Sequence, residues 1–72
     1  MSEDWNKKAT GILKSILTRR NIQYPELATK LNAIGLDETQ SSIASKISRG
    51  TFSFVFFIQC MKVLNIEEIK ID

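Results

Sequence analysis

Apolar residues recur at helical spacing in four separate stretches of the chain, and at the spacing of a strand in only one. Trp5, Ala9, Ile12, Leu13, Ile16 and Leu17 form the first stripe, which predicts a helix over 4–20. Lys7, Lys8, Lys14, Arg19 and Arg20 fall mostly on its other side, and Asn21 marks its stop. Leu27, Ala28, Leu31 and Ile34 make a second stripe over 25–34, with Pro25 at the first helical position and Gly35 as its C-terminal cap. Only Ile43, Ala44 and Ile47 face inward in a third helix over 38–48, started by Asp37 or Thr39 and ended by Gly50. A fourth helix, over 53–64, starts at Ser53 or Thr51.

That fourth helix is apolar around most of its girth. Steps of about 100° put Phe54, Phe57, Ile58, Met61 and Leu64 on one face. Phe56, Cys60 and Val63 widen the face, and only Gln59 and Lys62 form a polar wedge. Such a helix needs burial on more than one side, and Phe56, Cys60 and Val63 are the expected dimer interface. In the tail, Ile69 and Ile71 alternate as an edge strand would. The expected fold is all-α: a compact bundle of four or five short helices, with a possible short C-terminal strand.

Length and composition narrow the class. Seventy-two residues make a single domain, with 43% hydrophobic and 25% charged residues, as in ordinary globular chains. No stretch approaches the roughly 18 apolar residues that span a bilayer. The acidic start, Met1 to Asp4, leads into no apolar signal segment. A single cysteine allows no internal disulfide, which fits a reducing cytoplasm.

The net charge of +2 is small, but its distribution is uneven. No acid occurs from Thr39 to Ile66, while Lys46, Arg49 and Lys62 lie in that window. Either a polyanionic partner, or chance together with an apolar helix that excludes charge, explains this gap. No catalytic constellation is present. Cys60 sits in an apolar run, the chain has no histidine, and Glu67 and Glu68 diverge as neighbours on a helix. No metal, no cofactor and no enzymatic activity are expected.

The second and third helices with their connector have the pattern of a helix-turn-helix. Leu27 and Leu31 precede the turn, and Ile43 and Ile47 follow it. The outer face of the third helix offers Gln40, Ser41, Ser42, Ser45, Lys46 and Arg49, all short or basic. Gln pairs with adenine, Arg or Lys with guanine, and Ser with bases or phosphate. The alternative is the solvated side of a small helical protein. Arg49 either contacts phosphate or covers the last carbonyls of its helix, and Tyr24 either donates to phosphate or sits in the core. Trp5 reads as core or a dimer contact. The phenylalanines read as core rather than a stacking platform for single strands, because no basic residues interleave with them.

The segment Ile12–Leu64 resembles Cro/C1-repressor-type helix-turn-helix domains. Tyr24-Pro25-Glu26-Leu27-Ala28 takes the place of their second-helix opening, and Lys46-Ile47-Ser48-Arg49-Gly50 of their recognition-helix end. Six residues, Thr29 to Ile34, separate Ala28 from Gly35, so the turn is longer than in that family. A closer resemblance, over about two-thirds of the chain, is to an uncharacterised family of small bacterial helix-turn-helix-like domains. It rests on Tyr24-x-Glu26-Leu27, on the Gly35-x-x-x-Thr39 spacing, and on Lys46-Ile47-Ser48-Arg49-Gly50-x-Phe52-Ser53 with Phe56. That family often carries Asn or Arg where this chain has Ser42, Ala44 and Ser45.

The resemblance implies a transcriptional regulator of bacterial or phage type that binds double-stranded DNA as a homodimer. Gln40, Ser41, Ser42 and Ser45 would meet base edges, Lys46 and Arg49 phosphates or guanine, and Tyr24 and Thr51 the backbone. In that arrangement Lys14, Arg19, Lys46 and Arg49 gather on one surface around the third helix. The other reading is a protein-interaction module on the same fold, such as an adaptor, an antitoxin or an inhibitor of a host factor.

Overall fold

A computed structural model describes residues 4–71 and contains four α-helices: α1 (Trp5–Arg20), α2 (Tyr24–Ala33), α3 (Gln40–Arg49) and α4 (Phe54–Val63). The described residues include no strand, and 65–71 run as irregular chain. The alternation of Ile69 and Ile71 therefore makes no strand. No second strand is present among the described residues to pair with it, and a lone strand leaves its backbone groups unsatisfied.

Local chemistry sets the helix ends. The Asp4 side chain accepts from the Lys7 amide and opens α1. Thr39 caps α3 and Ser53 caps α4, so Asp37 and Thr51 are not the caps. Pro25 lies one residue inside α2, which starts at Tyr24. Three helices end in the same way. Asn21, Gly35 and Asn65 adopt positive φ, and the amide of the next residue (Ile22, Leu36 or Ile66) reaches back to the carbonyl of Leu17, Leu31 or Met61. This is the Schellman arrangement, and each following residue is apolar and packs against the core.

The α3 helix packs closely against α1 and α2, and α2 packs against α4. Leu13, Leu27, Leu31, Ile43, Ile47 and Cys60 fill the centre, completely enclosed. Gly50, in left-handed conformation, lets α3 end against α1, where a Cβ would lie 2.0 Å from the Asn6 carbonyl oxygen. Beside it the Thr10 hydroxyl donates to the Ile47 carbonyl at 2.5 Å. Arg20 donates to the Leu64 carbonyl at 3.1 Å and ties α1 to the end of α4.

The packing corrects the expected dimer interface. Phe56 and Cys60 are buried in the core of their own chain, and Val63 packs half-buried against it. The apolar residues of α4 that remain exposed are Phe54 at 73%, Val55 at 63% and Ile58 at 49%. The reason is which side of α4 meets the rest of the fold: Phe56 and Cys60 join the common core, with the Phe56 ring beneath Lys46 of α3. Trp5 is 68% exposed at the first turn of α1, so it is not a core residue. Tyr24 is half-buried, with its ring against the core.

Candidate nucleic-acid interface

With Ile43 and Ile47 inward, helical geometry turns Ser41, Ser45, Ser48 and Arg49 to solvent. All four are exposed, and α3 contains no carboxylate. Among the described residues Arg49 has no hydrogen-bond or ion-pair partner, and it is exposed.

The connector before α3 is held by side chains. Asn32 grips the backbone of Glu38 at both ends: its Oδ1 accepts from the Glu38 amide at 2.7 Å, and its Nδ2 donates to the Glu38 carbonyl at 2.9 Å. Thr39 and Ser42 then cap each other reciprocally, each side-chain oxygen accepting from the other residue's amide. The Ser42 hydroxyl donates to Glu38 Oε1 at 2.6 Å, and Lys46 Nζ donates to Oε2. Lys46 also lies over the Phe56 ring, 4.9 Å from its centroid.

Glu38 is only 8% exposed. Burial alone would raise its carboxyl, but the bonds from Lys46 and Ser42, with the lysine charge, outweigh it and hold the group below its ordinary value. The effect on α3 is twofold. Glu38 is neutralised as a negative charge near the helix, and the Ser42 hydroxyl and the Lys46 ammonium are tied to it, while the lysine side chain stays 43% exposed. Asp37 stays exposed in the connector.

The expected site residues therefore separate into groups. Ser41 and Ser45 lie on the open face with Arg49. Gln40 lines a cleft of about 320 Å3 with Lys14, Tyr24 and Pro25, at the start of α3. Lys46, Arg49 and Thr51 line another of about 290 Å3 with Phe52 and Phe56, at its end. Ser42 serves the cap and Glu38 rather than a base edge. The four basic residues expected on one surface separate: Lys14 lines the cleft at the start of α3, Lys46 and Arg49 the one at its end, and Arg19 neither. Arg19 lines grooves with Lys70 beneath the tail, about 140° around α1 from Lys14.

Glu38 and Asn32 do not stand out by residue type alone. The signal for Glu38 is its spacing: Ser42 and Lys46, four apart, share one side of α3, and Glu38 lies four residues before Ser42, just ahead of the helix start. Nothing in the sequence marks Asn32, because its partner is backbone.

Cys60 is wholly enclosed, and burial pushes its thiol up to about 12, with a smaller contribution from the Glu38 charge. It offers no nucleophile. No cluster of His, Cys, Asp or Glu able to hold a metal occurs among the described residues. No helix among them is long and apolar enough to cross a membrane.

No curated protein and no solved structure matches the chain. A family model does match, over residues 5–69, and so covers all four helices. The chain belongs to the DUF6471 family, a domain of unknown function.

Proposed function

We propose that the domain is a helix-turn-helix module of a bacterial or phage transcriptional regulator, acting in the cytoplasm on double-stranded DNA. In this reading α2 braces against the backbone and α3 enters the major groove. One observation carries it: α3 turns an open face of Ser41, Ser45, Ser48 and Arg49 outward, with no carboxylate on the helix and the adjacent Glu38 buried and paired. A phosphate-lined groove disfavours any acid there.

Arg49 serves guanine or phosphate, Gln40 adenine, and the serines base edges or phosphate. Lys14, Tyr24 and Thr51 flank the helix at its two ends as backbone contacts. Three serines and one arginine are a small reading head. A homodimer on paired half-sites would raise both affinity and specificity. The reading requires no metal, cofactor or catalysis.

Fluorescence anisotropy on mixed-sequence duplexes tests it. The wild type should bind at low salt and weaken steeply at moderate salt. Arg49→Ala should lose most of that binding with its fold intact. No binding at low salt by a folded protein would refute the proposal.

The exposed Phe54, Val55 and Ile58 favour a second reading, in which α4 receives another protein and α3 is only solvated. Phe54→Ser should then abolish partner capture while leaving any DNA binding unchanged.

A further inference from the structure

We propose that Glu38 is a specificity-determining positioning residue: by capturing Lys46 it removes a cation from the open face of α3, so that phosphate contact rests on Arg49 and sequence-independent binding stays weak. This rests on the DNA reading above.

Lys46 is one of only two basic residues on α3, the other being Arg49. A lysine there would ordinarily reach a phosphate, since its ammonium is a flexible point charge. Here three features hold it. Its ammonium bonds the Glu38 carboxylate and lies over the Phe56 ring. The carboxylate is buried, and it is fixed by Ser42 on one oxygen and by Asn32 through its own backbone. Drawing Lys46 onto DNA would leave that carboxylate buried without a counter-charge, which is far costlier than breaking a surface pair. An exposed, mobile Glu38 would have no such hold.

The arrangement also costs the protein a phosphate contact. Such contacts strengthen binding to every sequence alike, whereas base contacts discriminate. Removing one lowers the sequence-independent background against which the serines and Arg49 act. It also makes Ser42 and Lys46 part of the scaffold that orients α3.

The test compares the wild type, Glu38→Gln and the double variant Glu38→Gln/Lys46→Gln on mixed-sequence duplexes across a salt series. Circular dichroism checks that each is folded. Glutamine keeps the shape of Glu38 and an acceptor for Ser42 but releases the ammonium. Glu38→Gln should bind more tightly at low salt, with the slope of log affinity against log salt steeper by about 0.9, the increment for one phosphate. The double variant should return to the wild-type slope.

Equal slopes for the wild type and Glu38→Gln would overturn the proposal and leave the DNA reading standing. A steeper slope retained in the double variant would also overturn it, because Lys46 would not be the source. Absence of binding in all three would overturn both readings. Binding by Glu38→Gln alone would refute DNA binding by the natural chain and overturn the proposal with it. Should Glu38→Gln fail to fold, Lys46→Gln alone decides: an unchanged slope supports the proposal, and a slope shallower by about 0.9 overturns it.

Discussion

Gly50 and Gly11 differ in what surrounds them. At Gly50 a Cβ would meet the Asn6 carbonyl oxygen at 2.0 Å, and the left-handed backbone adds a penalty of its own. Gly50→Ala should cost roughly 2–4 kcal/mol in urea unfolding, since α1 and α3 are forced apart. Gly11 lies mid-helix on the outside of α1, and a Cβ there would meet nothing within 4 Å. Gly11→Ala should stabilise by about 0.5–1 kcal/mol through helix propensity. Glu38 gives a pH signature. Its carboxyl is held below the ordinary glutamate value of about 4.3, so the pair's stabilisation is complete above that pH. It is lost as pH falls through the lowered value. Glu38→Gln should flatten the fall in melting temperature below about pH 4. An equally steep acid loss in that variant would assign it to other carboxylates.

At the scale of elements, each helix end is a local balance between backbone and side chains. Asn21→Ala and Asn65→Ala should each cost about 1–2 kcal/mol, because alanine tolerates positive φ poorly. Thermal unfolding of the two variants checks this. Because caps act over a few residues, the ends of α1, α3 and α4 were legible in sequence to within a residue or two at Asp4, Asn21, Thr39, Gly50 and Ser53. The buried side of α4 was not. Its apolar residues run almost all the way round, so periodicity permits several inward faces. Packing against the rest of the core selects Phe56 and Cys60 and leaves Phe54 outside, a decision made by tertiary structure. The same limit applies to the candidate site. The inward stripe of α3 was legible from Ile43 and Ile47, and with it the outward Ser41 and Ser45. The diversion of Ser42 and Lys46 to Glu38 depends on how the connector folds back onto Asn32, which no repeat spacing encodes.

The whole molecule exposes two unlike surfaces. One is the uncharged and basic face of α3; the other is the apolar edge of α4, where Phe54 stacks on Phe57 with ring centroids 6.4 Å apart. Phe56→Ala should cost about 3–5 kcal/mol, the usual loss for a core phenylalanine, whereas Phe54→Ser should leave stability within about 1 kcal/mol. Comparable losses would mean that α4 buries a different side. Cys60 should resist thiol reagents at neutral pH until the domain unfolds, since the thiolate is disfavoured and the sulfur enclosed.

The two surfaces also separate the two functional readings, and one experiment addresses both. The most direct is amide chemical-shift mapping of the labelled protein against a mixed-sequence duplex, at low and moderate salt. Binding through α3 predicts salt-sensitive shifts at Ser41, Ser45, Ser48 and Arg49, and at Lys14 and Gln40 beside them, with Phe54 to Ile58 unmoved. Shifts confined to α4, or none at low salt, would contradict it.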